Sequence, residues 1–143
     1  MNTEKYLQEV DEFCRKHKVR FTAIRRQILT LIIKNAAPIK AYDLLDLYRE
    51  EVKTAEPPTV YRALNFLMDN GIIHKIESSN SYAICSNPEL KASCHLIICD
   101  GCNKVVEVFD DSISDQLSNL VSKVGFKQKR KIVELRADCE ACA

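Results

Sequence analysis

Two pairs of cysteines carry the strongest chemical signal in this chain. Cys99-Asp100-Gly101-Cys102 and Cys139-Glu140-Ala141-Cys142 are both C-x-x-C knuckles, separated by residues 103–138. Two residues between cysteines let both thiolates reach one metal ion, and two such pairs complete the tetrahedral four-sulfur shell of a closed structural zinc site. The intervening segment must then be a compact unit whose ends meet. Cysteines used only as small buried hydrophobes seldom repeat this spacing. The rival chemistry is thiol–disulfide exchange, but redox C-x-x-C pairs open a helix, whose N-terminus lowers the thiol pKa. Here Cys99 ends one apolar strand-like run and Cys102 leads into another, which favours a metal knuckle over an oxidoreductase. No nucleophile–base constellation for hydrolysis is visible, so an enzyme is not expected.

The remaining composition fits an intracellular binding protein. With 143 residues, 46% of them hydrophobic, the chain suits one large or two small domains. Its apolar runs fall short of the roughly 20 residues of a membrane span. Met1-Asn2-Thr3-Glu4-Lys5 leads into no signal-peptide core, so a cytoplasmic protein without membrane contact is expected. In a reducing cytosol, seven cysteines argue for metal or redox chemistry rather than a disulfide framework. The net charge of +1 conceals an asymmetry. No acidic residue lies between Glu12 and Asp43, where Arg15, Lys16, Lys18, Arg20, Arg25, Arg26, Lys34 and Lys40 all occur. Such a stretch is a candidate phosphate-facing surface, since neutralised phosphates release counterions.

Apolar spacing supplies the elements that must position these groups. Tyr6, Leu7, Val10, Phe13 and Cys14 recur at helical intervals, giving a helix over about residues 4–17 with Cys14 in its core stripe. Thr22 is a candidate N-cap for a second helix with Ile24, Ile28, Leu31 and Ile32 inward, ended by Asn35-Ala36-Ala37-Pro38. A third helix buries Ala41, Leu44, Leu45 and Tyr48 and turns Tyr42, Asp46 and Arg49 outward. Glu56-Pro57-Pro58 forms a rigid turn and Thr59 caps a fourth helix, which buries Val60, Ala63, Leu64, Leu67 and Met68 and stops at Gly71. Strands over 72–77 and 81–84 follow, joined by Ser78-Ser79-Asn80.

That order is a winged helix-turn-helix, whose second motif helix enters the major groove. The fourth helix exposes Tyr61, Arg62 and Asn65. Arg62 can reach guanine O6 and N7 with its planar fork, and Asn65 can read adenine or touch phosphate. Tyr42, Thr59, Tyr61, Arg62 and Asn65, with Arg20 and Arg25 of the basic stretch, are the candidate DNA contacts.

Beyond Cys85 the pattern changes. Residues 85–94 read as a polar hinge between a first domain at 1–84 and a second at 95–143. Strands at 95–98 and 104–109, a helix capped by Asp111-Ser112 and closed by Gly125, and a returning strand at 129–136 make a β-β-α-β unit. It is too small for a comfortable core alone, so zinc and a partner subunit would both help it. The fold class is therefore α+β: a winged-helix domain followed by a small α/β domain carrying a four-cysteine zinc site.

The basic helical head, Pro57-Pro58-Thr59-Val60-Tyr61-Arg62-Ala63-Leu64 and Ile98-Cys99-Asp100-Gly101-Cys102 resemble the ferric uptake regulator family. The chain is most similar to its zinc uptake regulator branch, through Ala41-Tyr42-Asp43-Leu44-Leu45-Asp46-Leu47, His74-Lys75-Ile76-Glu77 and Asn80-Ser81-Tyr82-Ala83-Ile84-Cys85. The resemblance covers nearly the whole chain. It implies a homodimer, joined through the second domain, that binds palindromic operator DNA when a regulatory metal site is loaded and represses zinc-uptake genes. It also implies one structural and one regulatory zinc per monomer and no other small-molecule substrate.

In that branch the regulatory ligands are a His at the wing start, a Cys at its end, a His before the first knuckle and a Glu after it. The matching positions are His74, Cys85, His95 and Glu107. A thiolate, a carboxylate and two neutral imidazoles suit tetrahedral zinc and neutralise its charge. The thiolate argues against an iron or manganese sensor; a family regulator that senses iron, manganese or peroxide is the alternative reading. Two features depart from the family pattern. Ser93-Cys94-His95 stands where many members carry a His-rich run, so Cys94 and His95 both offer a third ligand, and on a strand only one can face the metal. Thr22-Ala23-Ile24-Arg25 also lacks the family's helix-start proline.

Overall fold

The first helix, α1 (Thr3–Lys16), starts where Asn2 accepts a hydrogen bond from the Lys5 N–H at 3.1 Å. It carries Tyr6, Leu7, Val10 and Cys14 into the interior, and burial pushes the Cys14 thiol pKa up. The computed structural model describes residues 2–35 and 37–143. It divides into two compact units, Met1–Pro88 and Glu89–Ala143.

In the first unit α2 (Ala23–Lys34) begins at Thr22, whose hydroxyl accepts from the Arg25 N–H as expected. Of the turn expected at 35–38, Ala36 lies outside the described residues. Helices α3 (Ala41–Glu51) and α4 (Pro57–Asp69) follow. Ile28, Leu29, Leu44, Leu64 and Leu67 are fully buried in one cluster, the main hydrophobic core. Helix α4 starts three residues earlier than expected. Pro57 and Pro58 occupy its first positions, where a missing N–H costs nothing, and Glu56 replaces Thr59 as the N-cap residue. Thr59 therefore sits inside the first turn, its N–H bonded to Glu56 O at 3.0 Å.

The wing is a three-stranded antiparallel sheet in the order β1-β3-β2, from β1 (Ile39–Lys40), β2 (Ile73–Ile76) and β3 (Ser81–Ile84). The two-residue β1 was not foreseen, because Ile39 and Lys40 show no alternation and are fixed only by pairing with Tyr82 and Ser81.

In the second unit a second sheet has the order β5-β4-β6. Strand β4 (Cys94–Cys99) runs antiparallel to β5 (Val105–Phe109) and parallel to β6 (Glu134–Ala137). Helix α5 (Asp111–Lys123) supplies the crossover. Three boundaries differ from expectation. Much of the expected hinge is a 3₁₀ helix, Pro88–Ser93, and Cys94 already belongs to β4 because it pairs with Phe109. Asp110, not Asp111-Ser112, caps α5, its carboxylate accepting from Ile113 N at 3.2 Å. Strand β6 starts at Glu134 rather than residue 129, because Glu134 is the first residue with a Cα partner on β4. Before it, Lys131 turns aside to the Ser114 hydroxyl at 2.7 Å. Among the described residues no helix is long and apolar enough to cross a membrane.

Candidate functional site

The parallel pairing of β4 with β6 builds the four-cysteine cluster. Its register sets Cys99 beside Ala137, so the chain delivers Cys139 to the end of β4. There the Cys139 N–H donates to Cys99 Sγ at 3.3 Å. Each knuckle is a tight turn: Asn103 N–H bonds Cys99 O at 2.9 Å and Cys142 N–H bonds Cys139 O at 2.9 Å. Arg136 clamps the two together by reaching Asp100 Oδ1 at 2.6 Å. Cys99, Cys102, Cys139 and Cys142 bring their sulfurs within 4.8 Å of one another.

The cluster fits zinc by its dimensions. A tetrahedral ion with Zn–S bonds of about 2.3 Å sets its sulfurs about 3.8 Å apart, and Cys102 Sγ lies 3.8 Å from Cys139 Sγ. A Cβ on Gly101 would come within 2.8 Å of Cys142 Cβ and 2.9 Å of its sulfur, so only glycine lets the knuckles close this far. Backbone N–H groups, Cys139 first, pull the Cys99 thiol down to about 6, while its sulfur neighbours push Cys142 up to about 12. Four such thiols ionise together only with a cation among them. Cys99 ends a strand and Cys102 lies in the turn before β5, so neither opens a helix as a redox pair would.

A second donor pair lies on the wing. His74 faces Ala83 and Ile73 faces Ile84, and the Cys85 N–H extends the ladder to Ile72 O at 2.8 Å. Residues opposite each other share a face, so His74 and Cys85 form a diagonal pair. Their donor atoms lie within 4.8 Å of one another. Buried Cys85 is held at its carbonyl as well, which accepts from the Tyr6 hydroxyl at 2.6 Å. Tyr6 thus links α1 to the end of the wing.

In the second unit the β4–β5 register separates the two adjacent candidates. Glu107 lies opposite Leu96, which puts Cys94 and Glu107 on one face and His95 on the other. Cys94 Sγ approaches Glu107 Oε2 at 3.8 Å. Burial, then the adjacent carboxylate, pushes the Cys94 thiol up to about 11. The buried His95 instead sets Nε2 3.1 Å from Asp110 O, and its Nδ1 is buried with no hydrogen-bond partner among the described residues.

The candidate DNA contacts divide by exposure. Tyr42 is 77% exposed on the first turn of α3, and Tyr61, Arg62 and Asn65 are exposed along α4. Arg20 is exposed, but Arg25 is half-buried, its guanidinium 3.8 Å from the Phe66 ring centroid and hydrogen-bonded to Arg20 O. Arg25 therefore joins α2 to α4 as well as adding charge.

Residues 16–136 match the ferric uptake regulator family. The chain belongs to the ferric uptake regulator family. Membership makes it a transcription regulator rather than an enzyme. Within the family it is a homologue of zinc uptake regulators. It is 38% identical over 143 residues to the zinc uptake regulation protein of Escherichia coli K12, covering 98% of this chain and 82% of that protein. A solved structure described as a zinc uptake regulator complexed with zinc and DNA superimposes with a TM-score of 0.91 at 37% identity, covering 99% of this chain and 95% of the other. The crystal structure of holo XcZur gives a TM-score of 0.89 at 38% identity, covering 96% of each chain.

For a ferric uptake regulator family protein, four working residues leave little sign in the sequence. Tyr6 counted only as a stripe residue, although a buried tyrosine needs a partner for its hydroxyl, which was the available signal. Gly101 sat inside a knuckle whose tightness only the partner cysteine reveals. The Arg136–Asp100 clamp joins residues distant in sequence and left no local sign.

Proposed function

We propose that this protein is a zinc-responsive repressor whose zinc-loaded homodimer binds palindromic operator DNA and silences zinc-uptake genes in the cytoplasm. The observation that carries the reading is the diagonal His74–Cys85 pair on the wing of a helix-turn-helix unit. It supplies one imidazole and one thiolate, a donor set that suits zinc over iron or manganese. Glu107 and a donor from the start of β4 complete the regulatory ligand set, and the four cysteines hold a separate structural zinc, giving two per monomer. When bound, the regulatory zinc supplies a crosslink of protein groups, with no redox or acid–base step.

His74 and Cys85 belong to the DNA-binding unit and Glu107 to the second, so shared ligation restricts how freely the two move. Half-sites about one helical turn apart are legible only at one spacing of the recognition helices. Metal and DNA then each favour the same arrangement, and the coupling is reciprocal. Arg62 and Asn65 of α4 read base edges, while Tyr42, Thr59, Tyr61, Arg20 and Arg25 contact backbone and sugar. The apolar surface of the second unit supports a homodimer: α5 buries no residue, and Leu120, Val124 and Leu135 are each more than half exposed.

The test is a zinc titration of operator binding by gel shift. Cys85→Ser is expected to keep its structural zinc and its fold but lose zinc stimulation. Undiminished stimulation would sink the regulatory assignment.

A further inference from the structure

We infer that the second unit contributes Cys94, not His95, to the regulatory metal, making the sensor a two-thiolate site with one imidazole and one carboxylate. The inference rests on the regulatory reading above and specifies its fourth donor.

Strand geometry carries the argument. With Leu96 opposite Glu107 and Cys94 opposite Phe109, Cys94 and Glu107 are diagonal neighbours on one face of the β4–β5 ladder. On the wing, His74 and Cys85 stand in the same diagonal relation across β2 and β3. Each unit therefore presents one antiparallel pair carrying one thiol and one harder donor. A sulfur and a carboxylate oxygen on one tetrahedral zinc sit about 3.6 Å apart, from bond lengths of about 2.3 and 2.1 Å. Cys94 Sγ and Glu107 Oε2 are 3.8 Å apart. The pair is close to ligating distance without rearrangement.

His95 is turned away by the same parity. For its ring to join Glu107, β4 would have to slip by one residue, which would reverse the facing of every side chain of the strand. The register is held by pairing on both sides, from Cys94 with Phe109 to Ile98 with Val105 on β5 and from Leu96 with Glu134 to Cys99 with Ala137 on β6. The Nε2 of His95 meets Asp110 O, the carbonyl of the residue that caps α5, so this ring anchors the start of the helix.

The donor set has a consequence for selectivity. Two thiolates and a carboxylate bring three negative charges to a divalent ion, one more than neutrality requires. Such a site favours soft, strongly Lewis-acidic ions and disfavours iron(II) and manganese(II) more firmly than a one-thiolate site does.

Cobalt(II) substitution tests it, because thiolate-to-cobalt charge transfer reports the number of coordinated sulfurs. Full-length protein retaining zinc in its four-cysteine cluster is titrated with cobalt(II) alone. Cys94→Ser is expected to cut the charge-transfer intensity of the added ion to about half, and Cys85→Ser to do the same. His95→Asn is expected to leave it intact. Cys94→His, which keeps a donor in place, should bind cobalt with a one-thiolate spectrum, separating ligand loss from misfolding. Full intensity in Cys94→Ser with loss in Cys85→Ser overturns this inference and leaves the regulatory site standing. No cobalt uptake beyond the cluster in the unmodified protein overturns both.

Discussion

Helices α4 and α5 each have 13 residues, yet α4 buries Val60, Ala63, Leu64 and Leu67 whereas α5 buries none. The contrast extends to the units around them. The first unit encloses a continuous core with side chains from all four of its helices. The second buries little beyond the side chains of β4 and closes its far end with four sulfurs. One half is held from within by apolar burial and the other from its edge by a cluster suited to metal. Small units that cannot bury enough surface commonly rely on such a staple. The difference also suits the tasks proposed for them: a rigid reading head can be self-sufficient, whereas a unit proposed to dimerise can leave its apolar face for a partner.

Metal removal should separate the halves most sharply. Structural zinc contributes on the order of 10–16 kcal/mol of binding free energy that small domains use to fold. Exhaustive chelation under reducing conditions is therefore expected to release amide protection across 94–142 while α1 to α4 stay protected. Hydrogen exchange followed by mass spectrometry reads this directly, and equal loss in both units would end the comparison. Core truncation should act in reverse. Leu64→Ala, at a fully buried site, is expected to lower the first unit's stability by about 2–5 kcal/mol in urea with metal content unchanged.

Smaller effects sharpen the picture within the first unit. Arg62→Ala leaves the core untouched and is expected to cost about 1–3 kcal/mol in operator affinity with no change in melting temperature. Loss concentrated at one operator base pair would identify a base contact, and uniform loss a phosphate contact. Tyr6→Phe removes the hydroxyl bonded to Cys85 O and is expected to cost about 1 kcal/mol of stability. It should also weaken metal binding at His74 and Cys85. Unchanged metal affinity would reduce Tyr6 to a packing residue.

What the sequence disclosed follows the range of each interaction. The knuckles and most of the stripes of α1 to α4 were legible because spacings of three or four residues encode them; on α2, however, Ile24 is exposed and Leu29 is buried instead. Thr22 was legible as a cap for the same reason. Asp110 was passed over for its neighbours because two adjacent aspartates offer the same chemistry, and only the backbone decides which one caps. The choice between Cys94 and His95 turns on register against Glu107, which no local pattern contains. The start of β6 depended on where β4 offers a partner. Tyr6 and Cys85 meet across most of the first unit, and a chain read in order has no sign of that.

The parallel alignment of β4 with β6 also imposes an order in time. The hairpin of β2 and β3 can zip as soon as its short turn is made, but Cys99 and Cys102 must wait for residues 103–142. At synthesis rates of about 5–20 residues per second that is a few seconds, and parallel pairing across so long a loop is slow thereafter. During that interval the nascent chain carries a finished reading head and a half-built sulfur cradle. The fold of the first unit and the competence of the chain to respond to metal are therefore acquired separately, the first well before the second.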